Sequence, residues 1–333
     1  MTWRVAGAAR ATTGTRANQE DAFAIWPSGA QAATRRGEGL LAVVADGMGG
    51  HAGGEIAGNL ACETFVATFT ATDRAVGDRL EAALEAGNEA IAARAAGNGK
   101  LRGMGCTLVG AWIDAAGLRW ISVGDSLLLL FRAPDVLRLN ADHSLGAFLD
   151  NQARLNKISP AEAEANPYRN ALRSALTGKA IEILDLRAEP YPLADGDWLI
   201  LASDGIATLD GNEIGDIVYA GRHGPPDQMA ERLIAAVLAK KAPDQDNTTV
   251  LALKVAADVA GIEADEAPTR ILRPEAAPVA ALLPDEDNGV ETTQRIVQPP
   301  AYEAFLRRHR SAVVGLGMGL MFLIGWLLRA LLE

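Results

Sequence analysis

The chain has 333 residues, 49% hydrophobic and 22% charged, with 31 Lys and Arg against 42 Asp and Glu for a net charge of −11. This allows one large domain or two small ones and excludes a collagenous, disulfide-stapled or wholly disordered protein; a net acidic chain also offers no general basic face for nucleic acid. Two cysteines, Cys62 and Cys106, are too few for a disulfide framework and read as small core residues in a reducing compartment.

In chain order, Met1 to Thr15 contains no apolar run of the length a secretory signal requires, so the bulk of the chain is expected in the cytoplasm. Residues 1–255 read as the folded part. Short apolar runs bounded by turn residues predict strands at Leu40–Ala45, Thr107–Ile113, Leu118–Val123, Leu127–Arg132, Asp197–Ala202 and Thr248–Val255, most of them buried. Helical patterns cover Glu55–Phe69, Arg79–Ala96 and Asp227–Lys240. Ser159-Pro160-Ala161-Glu162 carries the serine, first-turn proline and third-position glutamate of a helix start. Strands come in consecutive groups with helices inserted in pairs, which predicts an α+β or layered-sandwich class rather than a doubly wound parallel sheet.

From about Ala256 to Leu306 the sequence is acidic and Pro/Ala-rich, with ten acids against three bases and a net −7, the composition of a disordered tether. Ser311–Leu328 then holds no charge over 18 residues. At about 1.5 Å per residue that run spans roughly 27 Å, and roughly 33 Å if carried to Leu332, against a hydrocarbon core of about 30 Å. It reads as a transmembrane helix rather than a buried core helix, because no polar face would keep it soluble. Arg307, Arg308, His309 and Arg310 precede it and only Arg329 and Glu333 follow, which predicts a single-pass anchor in the cell inner membrane with the preceding domain cytoplasmic.

The informative pattern is the position of the acids. Leu40–Ala45 ends in Asp46-Gly47-Met48-Gly49-Gly50-His51; Trp198–Ala202 ends in Ser203-Asp204-Gly205; Ile121–Val123 ends in Gly124-Asp125-Ser126; and Asp244, Asp246 and Asn247 precede the strand from Thr248. One Asp-Gly at a strand end can be only a turn. Four aspartates at ends of apolar strands point to carboxylates that converge and need a hard divalent cation, Mg²⁺ or Mn²⁺, with oxygen ligands. Zinc is disfavoured by the shortage of His and Cys.

The chain resembles the PPM family of metal-dependent serine/threonine phosphatases, protein phosphatase type 2C, in its bacterial form. The resemblance runs over roughly residues 3–255. It is carried by Arg16, Asn18-Gln19-Glu20-Asp21, the Asp46–His51 segment, Gly105-Cys106-Thr107, Gly124-Asp125-Ser126, Asp142-His143-Ser144, Ser203-Asp204-Gly205 and Asp246-Asn247, in the family's order. It implies a four-layer αββα sandwich of two antiparallel sheets flanked by helices, with two, or with a third weaker site three, Mn²⁺ or Mg²⁺ ions at one sheet edge. By the same resemblance Asp46 bridges the ions, the Gly47 carbonyl ligates one, and Asp204 and Asp246 hold the other. Glu20 and Asp21 contact the metal shell, Asp125 belongs to the third site, and Arg16 clamps the phosphate. Hydrolysis of phosphoserine and phosphothreonine in proteins by a metal-activated water follows, opposing a Ser/Thr kinase at the membrane. Animal members carry a histidine directly after the Asp-Gly; here that position is Met48. His51 reads as an acid or as a structural residue.

Gly146–Gly178 corresponds to the variable flap of bacterial members. Its Arg154, Lys157, Arg169 and Arg173 read either as a surface for acidic or phosphorylated substrates or as a solvated helical face. Two similar tail segments, Thr269-Arg270-Ile271-Leu272-Arg273-Pro274 and Thr293-Gln294-Arg295-Ile296-Val297-Gln298-Pro299, place a branched residue three after the threonine. That resembles the spacing read by phosphothreonine-binding forkhead-associated domains; the alternative is an accidental similarity within a linker. Two other functions stay open: a catalytically silent membrane-tethered scaffold, and a hydrolase of small phosphoesters.

Overall fold

The structure, a computed structural model, describes residues 3–27, 39–49 and 52–257. The acidic segment from 258, the basic flank and apolar run at 307–333, Thr269, Thr293, Gly50 and His51 lie outside the described residues. Among the described residues no helix is long and apolar enough to cross a membrane.

The strands are β1 (Trp3–Thr12), β2 (Ala22–Trp26), β3 (Leu40–Ala45), β4 (Gly47–Met48), β5 (Gly105–Cys106), β6 (Leu108–Asp114), β7 (Gly117–Val123), β8 (Leu127–Arg132), β9 (Asp135–Arg138), β10 (Asp185–Tyr191), β11 (Trp198–Ala202) and β12 (Thr248–Ala257). The helices are α1 (Gly53–Thr70), α2 (Val76–Ala95), α3 (Leu145–Arg154), α4 (Pro160–Glu164), α5 (Gly211–Gly221) and α6 (Pro226–Ala239).

Two five-stranded antiparallel sheets result, in the orders β1-β12-β11-β8-β9 and β10-β7-β6-β3-β2, with β4 and β5 forming a separate short pair. Alternation along β3 shows why they stack. Leu40, Ala42 and Val44 face a core shared with Leu128, Leu199, Leu201, Leu251 and Leu253 of the other sheet, whereas Leu41, Val43 and Ala45 face Phe65, Leu80 and Leu84 of α1 and α2. A third core joins Phe131, Trp198, Ile200 and Ala252 to Ile214, Val218, Leu233 and Val237 of α5 and α6. A strand buried on both faces must read as a continuous apolar run. The layers are therefore helix, sheet, sheet, helix.

The register brings the functional ends together. Ala22 pairs with Ala45, Leu108 with Val123, Thr12 with Thr248, and Ala202 with both Val250 and Leu127. The start of β2, the end of β3, the end of β7, the end of β11 and the start of β12 thus lie along the same edge of their sheets.

Expected elements form within a few residues of their predicted bounds, and Ser159 and Glu162 make the reciprocal capping box on α4. Three corrections are needed. The opening segment, read only for its lack of a leader, is the ten-residue strand β1, and β12 runs to Ala257, past the Val255 at which that strand was expected to end. The strand expected from Asp197 begins at Trp198, because Asp197 turns its carboxylate to Arg132 and to the Ala194 N–H.

Candidate metal centre

Each acid at the shared edge is set by its strand and by a neighbour that fixes its backbone. Asp46 follows β3; its N–H donates to Thr107 Oγ1 at 3.1 Å and its carbonyl accepts the Thr107 N–H at 2.9 Å. The Thr107 and Ser126 hydroxyls hydrogen-bond at 2.6 Å, tying this point to the loop that carries Asp125. Arg138 donates to the Asp125 carbonyl at 2.8 Å, and His143 Nδ1 accepts the Gly124 N–H at 3.1 Å.

Asp21 immediately precedes β2 and is buried. The Ser203 hydroxyl donates to its Oδ2 at 2.7 Å. Glu20, beside it, lies over the start of α1, where a Cβ on Gly54 would come within 2.0 Å of Glu20 Oε2; only glycine permits that approach. A Cβ on Gly47 would likewise meet the Gly54 carbonyl at 2.2 Å and the Glu20 carbonyl at 2.4 Å.

Arg16 stands at the rim, its Nη2 2.8 Å from Asp246 Oδ2. Two residues that sequence reasoning did not assign hold the rim in place. Asn247 accepts the Glu20 N–H at 2.7 Å and donates to the Thr13 and Asn18 carbonyls. The buried Gln245 donates to the Gly205 carbonyl and accepts from Thr208 Oγ1. Asn247 stood in a quoted motif, but Gln245 carries no local signal. Asp244 is exposed.

Electrostatics binds these groups into one cluster. Burial, opposed by the Ser203 hydroxyl and reinforced by the charges of Asp204 and Asp246, pushes Asp21 up to about 7. Burial and then the charges of Asp204 and Asp142 push Asp125 up to about 7. Burial and the charges of Asp204, Asp21 and Asp125 hold Asp46 well above the ordinary carboxylate range, and burial followed by the charge of Asp246 raises Asp204.

Among the described residues no three His, Cys, Asp or Glu side chains close on one point as a finished cage. The donor set nevertheless fits a hard divalent cation. Its atoms are carboxylate oxygens whose proton affinity is raised by burial and by neighbouring acids, and among the described residues Asp21 Oδ1 and Asp204 Oδ1 are buried without a hydrogen-bond partner. An orphaned buried acceptor costs about 1–3 kcal/mol, and a cation is the partner that an acceptor-only group takes best.

In the flap, Arg169 forms a two-point ion pair with Asp150, Arg173 stacks over Phe148 with 4.2 Å from guanidinium carbon to ring centre, and Arg154 donates to Asn151. These three basic side chains are engaged within the flap itself.

The fold is thus a two-sheet sandwich that gathers these acids at one sheet edge. The chain belongs to the Protein phosphatase 2C family, whose model matches residues 7–223. The serine/threonine protein phosphatase PstP of Mycobacterium tuberculosis is 35% identical over 216 residues, covering 65% of this chain and 40% of PstP. The protein phosphatase PhpP of Streptococcus pneumoniae is 34% identical over 151 residues, covering 45% of this chain and 57% of PhpP. The match therefore spans less than two thirds of either relative. A solved structure of the PstP catalytic domain in complex with 2 manganese ions superposes with a TM-score of 0.61 at 31% identity, covering 77% of this chain and 100% of that one.

Proposed function

We propose that this chain is a divalent-metal-dependent phosphoserine/phosphothreonine protein phosphatase. The observation that carries the reading is the cluster of Asp21, Asp46, Asp125 and Asp204, four acids with raised proton affinity at one sheet edge of a Protein phosphatase 2C fold. The manganese-bound PstP domain and the named phosphatases among the relatives support it.

Asp46, Asp204 and Asp246 would hold the cations together with the Gly47 carbonyl, with Glu20 and Asp21 beside them and Asp125 at a third, weaker position. When bound, such cations lower the pKa of water toward neutrality and offset charge on phosphoryl oxygens. The chain's own groups do the rest. Arg16, at the rim beside Asp246, offers a planar fork to two phosphate oxygens, a geometry lysine lacks. Thr107 and Ser203 fix the Asp46 backbone and the Asp21 carboxyl, so those acids need not reorganise as charge develops. Asn247 keeps the Glu20 backbone on the start of β12.

The sequence extends the proposal. The uncharged run at 311–328 behind a basic flank supports a membrane anchor with the phosphatase domain on the cytoplasmic side, where it would oppose a Ser/Thr kinase. Thr269 and Thr293 would serve, once phosphorylated, as docking sites for a forkhead-associated module. Phosphorylated peptides of both segments that bind such a module no better than the plain peptides would sink that part. For the enzyme, the test is Mn²⁺-dependent release of phosphate from a phosphothreonine peptide by the purified chain, lost in Asp46→Asn and Asp204→Asn. Variants as active as the wild type refute the assignment. A scaffold reading is disfavoured because every carboxylate expected from the family is present.

A further inference from the structure

Asn88, half-buried on α2, uses its side-chain amide on the segment where the flap returns to the domain. Its Oδ1 accepts the N–H groups of Thr177 at 3.0 Å and Gly178 at 2.7 Å, and its Nδ2 donates to the Lys179 carbonyl at 2.7 Å. Two successive backbone donors and the following acceptor are satisfied by one side chain. Just before them, Leu176 and Cys106 exchange backbone hydrogen bonds at 2.9 and 3.0 Å. Cys106 in turn pairs with Gly47 in the β4–β5 ladder, and Thr107 holds Asp46 by both its N–H and its hydroxyl. An unbroken series of hydrogen-bonded backbones therefore runs from Asn88, through residues 176–179 and Gly105–Thr107, to Asp46 and Gly47.

The packing leaves this series little slack. A Cβ on Gly105 would meet the Leu176 carbonyl at 2.6 Å. Gly178, at φ +74°, approaches α2 so closely that a Cβ would lie 2.7 Å from Ala92 Cα. The return segment is thus pressed between α2 and β5, and a shift at 177–179 has no soft neighbour to absorb it before β5.

We propose that Asn88 is a positioning residue for the metal centre: by fixing residues 177–179 it sets where Gly105–Cys106 lies, and through that strand the Gly47 carbonyl and the Asp46 backbone. The proposal rests on the reading of Asp46 and Gly47 as metal ligands. It also makes the base of the flap and the metal centre one mechanical unit, so that a phosphopeptide pressing on the flap and a cation at Asp46 would each act on the other's placement.

The test uses the purified full chain with Asn88→Leu, Asn88→Gln and Asn88→Asp. Leu removes all three hydrogen bonds at similar volume. Gln keeps the amide and good helix propensity but moves it by one methylene, so it reports even if the Leu variant does not fold. Asp keeps an oxygen to accept both N–H groups and loses only the donor to the Lys179 carbonyl. Mn²⁺ affinity is read by isothermal titration and backbone opening by hydrogen exchange. Asn88→Leu and Asn88→Gln should weaken Mn²⁺ binding about tenfold, the scale seen when outer supports of a metal site are lost, while Asn88→Asp stays within about threefold. Exchange should rise at Gly105–Thr107 as well as at Thr177–Gly178, and KM for a phosphothreonine peptide should rise more than kcat falls. A purely local role gives a different result: lower thermal stability, faster exchange confined to 177–179 and wild-type Mn²⁺ affinity in Asn88→Leu and Asn88→Gln, which would overturn the proposal alone. A wild-type chain that binds no Mn²⁺ refutes the metal reading and this proposal with it.

Discussion

Ser203 donates its hydroxyl to Asp21 Oδ2 at 2.7 Å across 182 residues of sequence, and the same oxygen accepts the Thr249 N–H at 2.9 Å. One buried hydroxyl thus joins β2, β11 and β12 at the edge where the acids collect. Ser203→Ala leaves both a buried carboxyl and a buried N–H without that partner, and should cost about 1–3 kcal/mol of stability. Urea unfolding at pH 6, with chelator, is the measurement; a midpoint equal to wild type would remove Ser203 from this role.

The raised acids give the metal-free protein an unusual pH profile. An acid whose folded pKa lies above its unfolded value of about 4 binds more protons in the folded state, so its stability contribution is full below pH 4 and is lost as pH rises through the folded value. Asp21 and Asp125 place that loss between about pH 4 and 7, and Asp46 and Asp204 act in the same direction. His143, lowered by burial, acts oppositely, losing stability as pH falls below about 6.5, but it is one group against four. Chelated protein should therefore be more stable to urea at pH 5 than at pH 7.5, and Mn²⁺ should shrink or reverse that difference.

At Gly54 two effects compete. Replacing a helical glycine by alanine normally gains up to about 1 kcal/mol. Here the new methyl carbon would lie 2.0 Å from Glu20 Oε2, and relieving the overlap requires the carboxylate to leave the start of α1. Gly54→Ala should lower the melting temperature and weaken Mn²⁺ binding. A rise in melting temperature would show that Glu20 moves at no cost.

Arg16 should discriminate between binding and chemistry. Arg16→Lys preserves the charge beside Asp246 but loses the planar two-point fork, so kcat/KM for a phosphothreonine peptide should fall about ten- to a hundredfold, through KM more than kcat, with Mn²⁺ affinity changed much less. Equal kinetics for the lysine variant would take Arg16 out of phosphate binding.

The buried parts of the fold were legible in the sequence, because β3, β8, β11 and β12 pack on both faces and must be continuous apolar runs. The outer strand β1 was not legible, since its alanines, Gly7 and half-buried arginines blur the alternation. Nor was β10, an edge strand of charged and half-exposed residues interrupted by Pro190. Helix α5 has a capping box at Asp210 and Glu213 but glycines at 211, 215 and 221, which mask its periodicity. The acids at the strand ends could be found because each follows or precedes an apolar run. Their supports could not: Asn247 on Glu20, Gln245 on Gly205 and Asn88 on Thr177 act across 227, 40 and 89 residues, and only the folded register brings such pairs into contact.

The most direct test of the metal centre is titration of Mn²⁺ into the chelator-treated chain at pH 6.5, with heat and released protons followed together. Acids that hold protons near neutral pH must surrender them to a cation, so the wild type should bind two ions with net proton release. Asp46→Asn should lose both the binding and the Mn²⁺-dependent phosphate release. Binding without proton release, or an Asp46→Asn chain that binds Mn²⁺ and hydrolyses phosphothreonine as the wild type does, would contradict the assignment of these carboxylates as the metal site.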